Sequence, residues 1–267
     1  MQVTLVSAWY TFKAKQDINI YKQWINNFLL NVKQFNLVIF TNKDSSNILT
    51  PYINNLRIKV IILEIEDFYT YKYKEQWINN HKQNTLLVDK IDWQVNMLWC
   101  EKIYFINRVI TKNYFNNTLW YGWCDIGYFR GRENDVSIEL IKNWPNMTKI
   151  SRLDINKIYY TQICDDNYLN TLIKVILQKT TYNLPITPIP INQVSVAGGF
   201  FLTTKNNVIW WNDIFYKKLE LYFKHNYMVK DDQIIIIDCI ADNLHKFNLI
   251  KHNNNYDKWF GFSHYLL

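Results

Sequence analysis

The chain has 267 residues, of which 49% are hydrophobic, and a formal net charge of +7. Its hydrophobic content is sufficient for a large core, and it lacks the low-complexity linkers, fixed-period repeats and runs of like charge that would indicate a disordered or repetitive protein. No apolar run approaches the ~18 residues of a membrane-spanning helix, and residues 1–10 lack the pattern of a secretory signal, so we expect a soluble, cytoplasmic protein with no membrane span.

The first half of the chain alternates strand and helix patterns. Val3–Ala8 is a short apolar run, and Asp17 is a suitable N-cap for an amphipathic helix over Ile18–Leu30. Leu37–Phe40 and Lys59–Glu64 are further strand-sized apolar runs. This order predicts parallel pairing of the strands with right-handed crossovers.

A carboxylate follows the next predicted strand. The apolar spacing over Ile91–Val109 predicts a helix that leads into a strand at Leu119–Cys124, and Asp125 stands directly after it. Ligands of open α/β sheets bind at the carboxyl ends of the strands, so Asp125 is a candidate site residue. The alternative is an aspartate that only caps the following turn.

A pair of glycines marks a later strand. The three prolines in Tyr182–Pro190 predict a rigid extended loop before this strand. Ser195–Thr203 has the pattern of a strand interrupted at Gly198 and Gly199. The missing side chains indicate either the close approach of a ligand or another backbone, or a β-bulge.

Two adjacent acids form the last candidate group. Asn206 is predicted to cap a helix, after which Asp231, Asp232 and Gln233 precede the strand-sized apolar run Ile234–Ile237. This order suits a second carboxylate that faces the same cleft as the first. The acids could equally be an N-cap and a first-turn charge.

Several other residues have both a functional and a structural interpretation. Lys102 could reach a phosphate or be a solvated lysine, and Trp9 and Tyr10 could stack on a base or pack in the core. His252 and His264 are potential metal ligands near the C-terminus. The pI near 9.0 favours an anionic ligand, but the basic residues are scattered, which favours a solvated lysine-rich surface over a nucleic-acid-binding face.

Seven sequence blocks occur in one order over nearly the whole chain. They are Val3–Ala8 with Tyr21 and Trp24, Leu37–Thr41, Asn96–Lys102, Trp123–Arg130, Ala197–Phe201, Asp231–Gln233, and Trp259–Phe260. This order resembles the HtrL/YibB-like proteins, a group related to GT-A glycosyltransferases. The resemblance implies one α/β domain over residues 1–267, with a GT-A-like (Rossmann-like) mixed, mainly parallel central sheet flanked by helices. Residues 1–125 would form the nucleotide-sugar-binding half and residues 126–267 the acceptor and catalytic half.

The same order resembles glycogenin-type retaining transferases, in which a metal-binding D-x-D precedes a glycine-containing strand, an Asp-Gln segment and a C-terminal metal histidine. The roles that this resemblance implies are donor binding for Ala8, Tyr10, Thr41, Lys102, Asp125 and Gly127, the acceptor side for Gly198 and Gly199, catalysis for Asp231, Asp232 and Gln233, and Mn²⁺ or Mg²⁺ binding for Asp125 and His264. Gly127 departs from the pattern because it stands where the second aspartate is expected, so the metal loses a ligand.

The predicted function is transfer of a hexose from a nucleotide-diphosphate sugar, with UDP favoured over GDP, to a glycan or other hydroxyl acceptor, with retention at the anomeric carbon. One alternative is a non-catalytic glycan- or nucleotide-binding protein. Another is a sugar-nucleotide-forming nucleotidyltransferase, which would need a glycine-rich phosphate loop, whereas Ser7–Thr11 contains no glycine. The sequence does not determine the oligomeric state.

Overall fold

A seven-stranded sheet forms the centre of the protein in the computed structural model, which describes residues 2–132, 137–251 and 256–267. The strands within these ranges are β1 (Gln2–Trp9), β2 (Asn36–Thr41), β3 (Ile58–Ile62), β4 (Thr118–Cys124), β5 (Ile158–Gln162), β6 (Val196–Thr204) and β7 (Phe247–Lys251). Strands thus come from both predicted halves of the chain, and the functional division at residue 125 stays a prediction.

The strands lie in the order β3-β2-β1-β4-β6-β5-β7. Every described neighbouring pair is parallel except the two that involve β6, which runs antiparallel to both β4 and β5. The expected mixed, mainly parallel sheet is therefore confirmed, as is the parallel pairing of β1, β2 and β3. Because β6 is reversed, its first residues lie at the edge where β4 ends.

Helices cover both faces of the sheet. They are α1 (Ile18–Leu29), α2 (Lys74–Gln83), α3 (Trp93–Lys112), α4 (Ile138–Ile141), α5 (Met147–Ile150), α6 (Asp166–Ile176), α7 (Lys205–Lys224), α8 (Asp232–Asp242) and α9 (Gly261–Tyr265), with short 3-10 turns between some of them. Of the helices in the described ranges, none is at once long enough and apolar enough to cross a membrane.

Side chains of alternate strand residues pack in two separate hydrophobic cores, one on each face of the sheet. Val6 and Val38 pack in one core with buried residues of α3, α6, α7 and α8. Leu5 and Leu37 pack on the opposite face with residues of α1 and α9. Side chains of a strand alternate between the faces of a sheet, so a strand covered on both sides is apolar throughout. This explains why β1 and β2 are buried along almost their whole length.

The beginning of α1 agrees with the sequence prediction. The Asp17 carboxylate accepts a hydrogen bond from the backbone N–H of Asn19 at 2.8 Å, which satisfies one of the free donors of the first turn. Trp24 and Phe28 lie on its buried face. The helix ends at Leu29, one residue before the predicted end.

Three details of the second half differ from the sequence predictions. Helix α7 begins at Lys205 and has Thr204 as its N-cap, so the prediction that Asn206 is the cap was wrong. Thr204 is still extended as the last residue of β6, and the chain enters the helix without a loop. Residues Gly198 and Gly199 also belong to one strand, β6, although the pairing of β6 with β5 changes register across them. The strand-sized run Ile234–Ile237 lies in α8.

We expect Gly122→Ala to destabilise the fold because a Cβ atom at this position would lie 2.2 Å from the Phe201 carbonyl oxygen of the neighbouring strand. Overpacking of this kind costs about 1–3 kcal/mol or more. Urea unfolding measures the change. Leu119→Ala on the same strand is the control, since that side chain is 44% exposed and its loss should change the unfolding free energy little. Equal effects of the two substitutions would contradict the close packing of β4 against β6.

Candidate active site

The carboxyl end of β4 and the beginning of β6 meet at one edge of the sheet. Asp125 follows the last residue of β4, and its backbone N–H donates to the Gly199 carbonyl at 2.9 Å. The Asp125 carbonyl in turn accepts a hydrogen bond from the Tyr128 N–H at 2.9 Å. The backbone therefore closes the turn after β4, which leaves the Asp125 side chain available for other contacts.

The Lys102 ammonium group lies between two carboxylates at this edge. Its Nζ donates to the Gly198 carbonyl at 2.8 Å and lies 3.2 Å from Asp125 Oδ1 and 3.0 Å from Asp232 Oδ2. Only 6% of the Lys102 side chain is exposed. The ammonium group thus donates one hydrogen bond to the backbone and forms ion pairs with two carboxylates. The interpretation of Lys102 as a solvated lysine was therefore wrong, and its charge is already compensated by Asp125 and Asp232.

The two glycines of β6 make room for the two carboxylates. A Cβ atom on Gly198 would lie 2.8 Å from Asp232 Oδ2, and one on Gly199 would lie 3.2 Å from Asp125 Oδ2. The pairing of β5 with β6 also changes register across this segment, between Ala197 and Leu202. Both interpretations of the glycine pair, close approach and local irregularity, therefore describe part of the structure, and the approaching group is the protein's own carboxylates.

Asp125 is the accessible member of this group, with 40% of its side chain exposed. The Trp123 indole Nε1 donates to its Oδ1 at 2.6 Å. Together with Lys102, this bond holds the carboxylate in one orientation. Trp123 was not among the predicted site residues, although its position two residues before Asp125 in an extended segment places both side chains on the same side.

Asp232 is covered, with 5% of its side chain exposed. Burial raises the pKa of its carboxyl group to about 6, the charges of Asp231 and Asp125 act in the same direction, and Lys102 opposes them. Burial lowers the pKa of Lys102, but the adjacent carboxylates of Asp125 and Asp232 outweigh it, so that this pKa is raised overall. The ammonium group therefore stays charged, and with both acids ionised the group carries a net negative charge.

A small cavity adjoins Lys102 and Asp232 on the side of α3 and α8. Its volume is about 10 Å³, and Trp99, Tyr160, Phe201 and Phe215 contribute apolar walls. A cavity of this size holds at most one water molecule. A sugar cannot enter it, so a substrate of this site would have to approach Asp125 from the open edge of the sheet.

Asp231 and Gln233 lie at the start of α8 beside the buried acid. Asp231 is the N-cap, since its Oδ1 accepts the Gln233 N–H at 3.2 Å, while its Oδ2 pairs with Lys230 at 2.7 Å. The structural alternative of an N-cap followed by a first-turn acid thus describes the backbone here. Gln233 Oε1 is buried and, in the described ranges, has no hydrogen-bond partner.

The predicted donor-binding residues of β1 and β2 lie at the same edge of the sheet but point into the interior. Ala8, Trp9, Tyr10 and Thr41 are all buried. The Tyr10 hydroxyl donates to the Leu63 carbonyl at 2.9 Å, and burial raises its pKa well above the usual range. For Trp9 and Tyr10 the structure therefore shows the packed-core alternative, with no open ring face for a base.

The residues at this edge do not fit a divalent cation held in the manner of a D-x-D motif. A side chain at Gly127 has no room, because its Cβ would lie 2.8 Å from the Trp24 ring. Asp125 Oδ1 already accepts from Trp123 and faces Lys102. Divalent cations of this class require several oxygen ligands. Across residues 2–132, 137–251 and 256–267, no group of three His, Cys, Asp or Glu residues is arranged to hold a metal.

The predicted metal histidine lies in the last helix. His264 is buried, and its ring stacks on that of Tyr256 with a centroid distance of 3.8 Å. His252 lies outside the described residues. Mn²⁺ or Mg²⁺ binding stays a prediction from the family resemblance.

No protein-family model matches this chain, and a search of curated proteins finds no match either. The resemblance to HtrL/YibB-like proteins and GT-A glycosyltransferases therefore stays a prediction from the sequence blocks.

We expect Lys102→Met to lower the unfolding free energy by about 3–5 kcal/mol, because the substitution leaves two neighbouring carboxylates without their cation. Adding Asp232→Asn should recover part of the loss, since one of these charges is then removed. Urea unfolding of the two single variants and the double variant measures the coupling, for which we expect about 1–3 kcal/mol. Simple additivity of the two effects would show that the ion pair contributes nothing specific.

Asp232 should make stability depend on pH in a defined direction. Its pKa in the folded protein is about 6, above the 3.8 of the unfolded chain, so its contribution to stability is complete below pH 3.8 and is lost as the pH rises through about 6. The unfolding free energy of wild type minus that of Asp232→Asn should fall over this window by on the order of 1–3 kcal/mol. Urea titrations across the window test this. Parallel pH curves for the two proteins would exclude titration of Asp232 there.

Proposed function

We propose that the protein transfers a hexose from a nucleoside-diphosphate sugar to a hydroxyl acceptor, with Asp125 in contact with the substrate at the carboxyl edge of the sheet. The proposal rests on one observation: the Lys102 ammonium group forms ion pairs with both Asp125 and Asp232 at that edge, next to Gly198 and Gly199. Ligand sites of open α/β sheets are concentrated at this edge.

The unfavourable free energy of burying Lys102 with two carboxylates supports a functional role for this group. A buried ion pair gains little stability over an apolar packing of similar volume, and here the acids outnumber the ammonium group that joins them. Buried titratable groups with displaced pKa values are concentrated at functional sites. The glycines of β6 also leave out the side chains that would fill this edge. The buried charges and the glycines thus make the fold less stable at the edge of the sheet where a ligand is expected to bind.

The charge of the edge suits sugar transfer. Breaking the bond between a sugar and its leaving group develops positive charge on the sugar ring. A preoriented, partly exposed carboxylate stabilises such charge without reorganising during the reaction. Asp125 has this character, because Trp123 and Lys102 hold its Oδ1 while part of its side chain is open to solvent. Asp125 could also accept a hydrogen bond from the acceptor hydroxyl.

Lys102 and Asp232 are positioning residues in this proposal. Both are buried, and they act on the substrate through the orientation and charge of Asp125. This changes the role expected for Asp232, which the resemblance placed at the reacting face of the sugar. The identity of the hexose, the preference for UDP and the retention of configuration stay predictions, and none of the steps assigned here uses a metal ion.

Asp125→Asn should lower the release of nucleoside diphosphate from a nucleotide sugar by about 10²–10³-fold, because it removes the charge that faces the substrate while nearly preserving its shape. The assay uses UDP- and GDP-hexoses with and without Mn²⁺, and an acceptor mixture of glycans. Asp213→Asn replaces an exposed carboxylate on α7, and Asp238→Asn a buried one in a separate ion-pair network. Both controls should keep wild-type activity when folded.

Two results would contradict the proposal. Full activity of folded Asp125→Asn would remove Asp125 from the reaction. Stabilisation of the wild-type protein by UDP or GDP, without release of nucleoside diphosphate from any sugar donor, would instead support the non-catalytic nucleotide-binding alternative.

A further inference from the structure

Lys102 leaves the proposed reaction without a cation for its leaving group. A departing nucleoside diphosphate carries negative charge, which metal ions or cationic side chains usually stabilise. Lys102 is buried, its Nζ donates to the Gly198 carbonyl, and its charge is compensated by Asp125 and Asp232. The diphosphate therefore needs other positive charges near the same edge.

Lys15 is the first such charge. It lies in the segment between β1 and α1, and its Nζ stands 5.1 Å from the centroid of the Trp99 ring. Trp99 lines the cavity that also touches Lys102 and Asp232. Lys15 is exposed, and it takes part in none of the ion pairs found among the described residues. Trp99 thus places a free ammonium group beside the buried part of the site.

Lys230 supplies the second positive charge near this edge. It pairs with Asp231 at 2.7 Å, and Asp231 directly precedes the buried Asp232. The Asp231 carboxylate is shared, because it also caps α8. The Asp231 carboxylate therefore caps the N-terminus of α8 and pairs with Lys230. Its negative charge also raises the pKa of Lys15.

The charges around Lys15 are mainly positive. Desolvation by neighbouring residues lowers the pKa of the Lys15 ammonium group although it is exposed at the surface. The charge of Asp231 opposes this effect, and those of Lys230, Lys90 and Arg130 reinforce it. Several cations are thus close enough to act on one another with one carboxylate among them. A bound anion would reduce this repulsion and accept hydrogen bonds from the exposed ammonium group of Lys15.

We infer that Lys15 and Lys230 form an anion subsite that holds the diphosphate of the nucleotide donor beside the Asp125–Lys102–Asp232 group. The inference rests on the proposed function for the identity of the anion. The positive subsite and the negative edge at Asp125 have complementary roles: the subsite stabilises the leaving group, and Asp125 stabilises the sugar. No metal ion is required for this division of charge.

Binding of UDP, inorganic pyrophosphate and uridine, measured by calorimetry in EDTA, tests the subsite. Lys15→Gln and Lys230→Gln should each weaken UDP and pyrophosphate binding about tenfold, the value of one charge-assisted hydrogen bond, and the double variant should weaken it further. Lys15→Arg should retain binding. Lys217→Gln removes an exposed lysine on α7 that is paired with Asp213, and it should leave binding unchanged. Higher salt should weaken the wild-type affinity.

Several results would overturn the subsite. The first is a UDP affinity of the double variant that lies within twofold of the wild-type affinity. The second is a wild-type affinity for UDP that is no higher than that for uridine. The third is a requirement of Mn²⁺ for UDP binding. Release of nucleoside diphosphate by wild type distinguishes this failure from failure of the proposed function. If wild type cleaves a sugar donor while the lysine variants bind UDP normally, the function stands and the subsite is wrong. If the variants lose pyrophosphate binding but wild type cleaves no donor, the subsite stands and the function is wrong.

Discussion

The site depends on one buried ammonium group. Lys102 Nζ is within 3.2 Å of an oxygen of Asp125 and of Asp232, and it donates to the Gly198 carbonyl. Without this cation, two carboxylates would face each other in a region of low dielectric, which is strongly unfavourable. The ammonium group therefore ties together α3, the end of β4, the start of β6 and the start of α8.

The reversed strand β6 makes this convergence possible. Because β6 runs antiparallel to β4, its first residues lie beside the end of β4, and its glycines face the two acids. A parallel strand in the same position would present its carboxyl end instead. The small residues are thus needed at one end of one strand, where Gly198 accepts the Lys102 hydrogen bond and neither glycine obstructs a carboxylate.

The arrangement separates two kinds of charge. The acids and Lys102 form a mostly covered group whose accessible part is the Asp125 carboxylate. The free ammonium group of Lys15 lies outside it, next to Trp99 and under the influence of Lys230. Since the charge of Lys102 is compensated by Asp125 and Asp232, the proposal gives Lys102 the role of orienting Asp125. This separation is why the proposed chemistry assigns the sugar and its leaving group to different residues.

The sequence by itself determined the local elements of this protein and the identity of its acids. Apolar periodicity predicted β1, β2, β4 and α3, and Asp125 was predicted at a strand end, because these features depend on neighbours along the chain. Exposure was decided only by the tertiary structure. Lys102 could not be identified as buried, nor Tyr10 as a core residue, because burial depends on elements that are distant in sequence. The same holds for Gly127, whose missing side chain accommodates Trp24.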